Sequence, residues 1–208
     1  MSDRFRTDER NESGPTPLGD GLLGAQRLDA PPGRRAVFLD RDGVLNEDLG
    51  YVGTLDRFRW MPDAIAAVAL LKASGFLVFV VTNQSGIARG LFDEDAVQAL
   101  HRHMQEDLRR HGAEIDAFRY CPHHPEAVIE AYRATCGCRK PAPGLIEDLV
   151  TAYTVDRAGS FLIGDSARDL AAAAAAGIPG HLYRGGSLLA FVHPLIRSAP
   201  RLPAEAER

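Results

Sequence analysis

The chain has 208 residues, 45% hydrophobic and 25% charged, with a formal net charge of -4 at pH 7. That length fills one well-packed core, and the composition excludes collagen-like and disordered classes. A slightly acidic chain offers no broad positive field for a phosphate backbone, so no nucleic-acid partner is expected. No run approaches the roughly 18 apolar residues of a membrane-spanning helix, and Met1 to Arg10 lacks the apolar segment of a secretion signal. The expectation is a monomer in the cytoplasm with no membrane partner.

Residues 1–33 are rich in Gly and Pro and read as a flexible extension. The domain is expected over 34–193, followed by a loose tail over 194–208. Ala36 to Leu39 is a buried-strand candidate. Asp63 is placed to cap a helix that buries Ile65, Val68 and Leu71 and ends at Gly75. Phe76 to Val81 predicts a second strand. A helix from about Asp93 follows, with Val97, Leu100, Met104 and Leu108 at spacings of three and four. Ile115 to Tyr120 predicts a strand, Leu145 to Tyr153 a helix, Ser160 to Ile163 a strand and Ala167 to Ala176 a helix. His181 to Tyr183 predicts a last strand. This alternation argues an α/β fold, a parallel sheet with helices on both faces in three layers and no large cap domain.

In such sheets ligands bind beyond the C-terminal strand ends, so the residues there carry the functional reading. Asp40 and Asp42 stand one residue apart after the first strand, where one carboxylate can attack while the other trades a proton. Their mutual repulsion calls for a cation, and Asp165 at another strand end completes an oxygen-rich site suited to Mg²⁺. Thr82 can donate its hydroxyl hydrogen, the amides around Asn83 add donors, and Lys140 supplies a fixed positive charge, all of which phosphoryl transfer uses.

The runs Phe38 to Gly43, Val81 to Gly90, Cys121 to Pro125, Cys136 to Gly144 and Gly164-Asp165 resemble the haloacid dehalogenase (HAD) superfamily phosphatases. Within these they are similar to the heptose bisphosphate phosphatase family, which is close to the histidinol-phosphatase branch. The resemblance implies Asp40 as nucleophile and magnesium ligand, and Asp42 as general acid and then base whose backbone carbonyl binds magnesium. It implies Asp165 as the remaining metal carboxylate, Thr82 and Lys140 as stabilisers of the phosphoryl group, and Arg139 as a substrate contact. The family's substrate loop maps onto Asp48, Leu49, Gly50 and Tyr51, and Asn83, Gln84 and Ser85 line the phosphate site. Ser166 stands where some relatives have Lys, and Asp169 is the next acid on that helix. The implied substrate is a small phosphorylated sugar.

The three cysteines, Cys121, Cys136 and Cys138, fall in one short segment. With His123 they form a ligand set for a closed, structural zinc site. His124 is an alternative fourth ligand, and free thiols are the plain alternative. Twelve residues separate His123 from Cys136, a long zinc loop that favours the heptose branch over the histidinol one. Other readings are a zinc-stabilised interaction module without turnover, or trimming of DNA 3′-phosphates. Neither explains the acids, Thr82, Lys140 and Asp165 together in an acidic chain.

Overall fold

The computed structural model of the chain describes residues 33–198. The expected extension lies outside them but for Gly33. Five strands form a wholly parallel sheet: β1 Ala36–Leu39, β2 Leu77–Asn83, β3 Ala117–Cys121, β4 Phe161–Gly164 and β5 Gly180–Leu182. Their spatial order is β3-β2-β1-β4-β5. From β1 the chain therefore builds outward in one direction to β3, then returns to the other side for β4 and β5. The reversal lies between β1 and β4, where a parallel sheet leaves a crevice at its carboxyl edge.

The helices are α1 Ala64–Ala73, α2 Glu94–Arg110, α3 Gly144–Tyr153, α4 Ala167–Ala175 and α5 Leu188–Ser198. Strand side chains alternate between faces, and two cores result. Val37, Leu39, Val78 and Val80 meet Val68 and Leu71 of α1, Leu100 and Met104 of α2, and Leu188 and Val192 of α5. Ala36, Phe38, Phe79 and Val81 meet Leu145 and Leu149 of α3, and Ala172 and Ala173 of α4. The alanines of α4 permit its close approach to the sheet, and Gly180 of β5 lies under Leu170 and Ala173.

Three expectations change. Asp63 stands at the N-terminus of α1 in the left-handed region, φ 59°, and its side chain caps no amide; it accepts instead from Ser187 Oγ at 2.6 Å. β2 continues to Asn83, so Thr82 and Asn83 belong to the strand and pair in register with Tyr120 and Cys121. Finally, α5 runs through Pro194 to Ser198, past the expected domain end at 193. Proline discourages helix by removing a single amide donor, but Phe191, Leu195 and Ile196 pack against the core and hold the helix.

Leu71 is fully buried where α1 meets the sheet. Leu71→Ala is expected to cost about 2–5 kcal/mol of unfolding free energy, measured by denaturant titration.

Candidate active site

Asp40 follows β1, and its amide donates to Ile163 of β4 at 3.0 Å. That bond straps the tips of the two strands on either side of the crevice. Carboxylate oxygens of Asp40, Asp165 and Asp169 come within 4.8 Å of one another there. Burial, opposed by Lys140, pushes the Asp40 carboxyl up to about 7. Burial likewise raises Asp165. Asp165 Oδ1 is buried and has no hydrogen-bond partner, and an acceptor with nothing donating to it is the donor set a hard cation requires. Gly43 is part of this site: its φ is +80°, and a Cβ there would lie 2.2 Å from Asp165 Oδ2.

Lys140 is 2% exposed. Its ammonium touches Asp40 Oδ2 at 2.9 Å and Asp169 Oδ1 at 2.6 Å, and donates to the Val81 carbonyl at 2.8 Å. The buried ammonium is thus flanked by two carboxylates and a carbonyl, the surroundings a buried cation requires. Asp169, read from the sequence as an acid supporting the site from the same helix face, is fully buried. Burial pushes its carboxyl up, but Lys140 and Ser166 outweigh this and hold it below the ordinary carboxylate range. The main chain of Lys140 is fixed by Asn83, whose Oδ1 accepts from its amide and whose Nδ2 donates to its carbonyl, both at 3.0 Å.

The carboxylate of Asp42 is not in the acidic group. Gln84 Nε2 donates to its Oδ2 at 2.8 Å and Asn46 Nδ2 to its Oδ1 at 2.9 Å. The same Gln84 amide donates to Thr82 Oγ1 at 2.9 Å, so the Thr82 hydroxyl hydrogen is available to a ligand.

Asp40 and Asp42 lie on the wall of a cavity of about 360 Å³, with Thr82, Asn83, Gln84 and Ser85 along one side and Asp48, Gly50, Tyr51 and Arg139 at other points. Leu49 is exposed and absent from that wall, and Lys140 lies beneath Asp40, not on the surface of the cavity. Three further basic residues line it: Arg89, His124 and Arg168. Arg89 sits in the same run as Thr82 to Gly86, and Arg168 follows Asp165 by three residues; adjacency to motif residues was the only signal for either. The Arg89 guanidinium lies 5.6 Å from the ring centroid of Tyr51, within cation–π range.

The thiols come together as their spacing implied. Sγ–Sγ distances are 3.5 Å for Cys121–Cys136, 3.3 Å for Cys121–Cys138 and 3.1 Å for Cys136–Cys138. His123 Nδ1 stands 3.7 Å from Cys121 and 3.6 Å from Cys138. Four ligands at Zn–S lengths of about 2.3 Å would be about 3.8 Å apart at tetrahedral corners, so this cluster is compact enough to surround one ion. No disulfide links them. His124 is not the fourth member; its Nδ1 accepts from the Glu126 amide at 3.1 Å. Cys121 ends β3, and Cys138 precedes Arg139 and Lys140. The loop between them leans on the phosphate-site run, since Val128 and Ile129 amides both donate to the Ala88 carbonyl.

A parallel three-layer sheet with carboxylates of two adjoining strand tips gathered over a buried lysine defines a phosphatase of the HAD superfamily. The HAD-hydrolase-like family model matches residues 137–193. A protein of Rhodopseudomonas palustris named D-glycero-beta-D-manno-heptose-1,7-bisphosphate 7-phosphatase is 53% identical over 79% of this chain and 92% of its own length. One from Salmonella typhi with the same name is 40% identical over 83% and 85%. A crystal structure of the D,D-heptose 1,7-bisphosphate phosphatase from B. bronchiseptica, complexed with magnesium and phosphate, matches with a TM-score of 0.69 at 36% identity, over 79% of this chain and 99% of that one. The chain belongs to the D-glycero-beta-D-manno-heptose-1,7-bisphosphate 7-phosphatase family.

Gly43→Ala forces a methyl group against Asp165 in backbone that disfavours any side chain. Phosphatase turnover is expected to fall on the order of 10²-fold or more, the scale of an ångström-sized misplacement, with an unchanged far-UV circular dichroism spectrum.

Proposed function

We propose that this chain hydrolyses the 7-phosphate of D-glycero-D-manno-heptose 1,7-bisphosphate through a phospho-aspartate on Asp40. The observation that carries the mechanism is the buried Asp40 carboxylate beside the Lys140 ammonium at the edge of the cavity; the 53%-identical relative carries the choice of substrate. An Asp40 oxygen attacks phosphorus in line with the sugar oxygen. As the sugar P–O bond breaks, the proton of Asp42 passes to the leaving oxygen, and the phosphoryl group stays on Asp40. Asp42, now a carboxylate, takes a proton from water while the water oxygen attacks phosphorus. The bond to Asp40 breaks, and inorganic phosphate and free Asp40 result.

Thr82 donates its hydroxyl to the phosphoryl oxygens, with the amides of the following residues. Lys140, already paired with Asp40, holds the nucleophile and neutralises developing charge. Asp40, Asp165 and the main-chain carbonyl of Asp42 would hold Mg²⁺, which supplies further neutralisation of those oxygens. The partnerless Asp165 oxygen fits this cation. Arg139, with Arg89 and Arg168 on the cavity wall, suits the second phosphate of a bisphosphate. Cys121, His123, Cys136 and Cys138 would hold Zn²⁺ in a structural role, fixing the loop that leads to Arg139 and Lys140. The reading includes a monomer acting in the cytoplasm; among the described residues no helix is long and apolar enough to cross a membrane.

Asp40→Asn is expected to reduce phosphate release to background with the melting temperature retained; release at the wild-type rate would remove Asp40 as nucleophile. On the unmodified enzyme, kcat/KM for the heptose bisphosphate should exceed that for histidinol phosphate by at least about 10²-fold, since the arginines of the wall would lose the second phosphate they pair. The reverse preference would retire the substrate and keep the chemistry. Cys136→Ala should lower bound zinc, by metal analysis, from about one per chain to near none, together with the melting temperature.

A further inference from the structure

Arg41 stands between the two acids of the β1 tip and is 0% exposed. A buried guanidinium is stable only when its charge is paired and its N–H groups are bonded. Its one carboxylate partner among the described residues is Asp42. Nη2 reaches Oδ1 at 2.9 Å and Oδ2 at 3.0 Å, and Nε reaches Oδ1 at 3.3 Å. Nη2 also donates to the Val52 carbonyl, and Nη1 faces His101 Nε2 of α2 at 3.4 Å.

His101 is itself buried, stacked on Phe118 with ring centroids 4.5 Å apart and planes at 19°. Burial first, then Arg41, holds its imidazole well below the usual range, so its ring stays neutral and Nε2 accepts the guanidinium hydrogen. The Arg41 carbonyl meanwhile accepts from the Leu45 and Asn46 amides at 2.8 and 3.1 Å. That turn brings the Asn46 side chain back onto Asp42. The carboxylate is therefore gripped on three sides, by Arg41, Asn46 and Gln84, and retains little rotamer freedom.

From this we propose that Arg41, braced by His101, is a positioning residue that fixes the carboxyl of Asp42 at the cavity wall for proton transfer to the leaving sugar oxygen. The role rests on Asp42 being the acid. The brace reaches Asp42 from α2 through Arg41, and its product is orientation. A proton delivered to a departing alkoxide requires the donor within hydrogen-bond reach, and a loosened carboxyl spends most of its time elsewhere.

Leaving groups separate this role from a merely structural one. A sugar oxygen departs only with a proton, whereas p-nitrophenolate departs without one, so kcat/KM for p-nitrophenyl phosphate is blind to the acid. Wild type, Asp42→Asn, Arg41→Gln and His101→Phe are compared on the heptose bisphosphate and on p-nitrophenyl phosphate. His101→Phe keeps the aromatic stack, removes the acceptor and serves if Arg41→Gln does not fold. The expected result is a loss of about 10²-fold on the sugar phosphate for Arg41→Gln, a smaller one for His101→Phe, and less than about 3-fold on the aryl phosphate for either. Equal losses on both substrates, or none on the sugar phosphate, in a folded variant of either position overturn the role. Equal losses for Asp42→Asn remove the acid assignment, and Arg41's role with it; a selective loss there with equal losses for Arg41→Gln overturns Arg41 alone.

Discussion

The ammonium of Lys140 is the interaction around which the site is built. It lies where β1, β2 and the start of α4 converge, with Asp40 and Asp169 as its ion partners and the Val81 carbonyl as its third. Two carboxylates brought this close in a nearly dry crevice repel each other strongly. The buried cation offsets part of that repulsion: it holds the Asp169 carboxyl below the ordinary range and opposes the upward push of burial on Asp40. Without it the adjoining strand tips would carry uncompensated, buried negative charge.

Delivering that lysine is the task of the loop after β3. Lys140 is remote in sequence from Asp40, and it is held from two sides. The Asn83 side chain clasps its main chain, and the Cys121, His123, Cys136 and Cys138 cluster closes the loop just before it. Gly144, at the start of α3, is pressed against the carbonyl of Gly137, where an added Cβ would lie 2.3 Å away, so the exit from the cluster is as constrained as the entrance. The thiol cluster stands next to Arg139 and Lys140 in the chain.

The aromatic residue Phe92 shows how the rim is assembled from segments that the sequence keeps apart. A Cβ on either Gly53 or Gly86 would fall 2.2 Å from its ring. The ring is thus pressed against both the loop that carries Tyr51 and the loop that carries Ser85. Both loops border the cavity.

Much of this was legible in the residues in order. Alternating apolar runs and helical periods gave the strand–helix succession because burial against a sheet imposes a period of two on strands and one near 3.6 on helices. The acids after β1 and β4, Thr82 and the cysteine spacing were legible because the side-chain chemistry of such sites tolerates few substitutes. Tertiary structure alone decided the rest. The strand order put β4 beside β1 and so joined Asp165 to Asp40. It sank Lys140 beneath the nucleophile, gave Asp169 a partner, turned Asp42 toward Arg41 and Gln84, and chose His123 over His124. It also carried α5 past a proline. None of these is periodic or local: each depends on which surfaces meet when residues far apart in the chain are buried together, and a linear pattern holds no record of that distance.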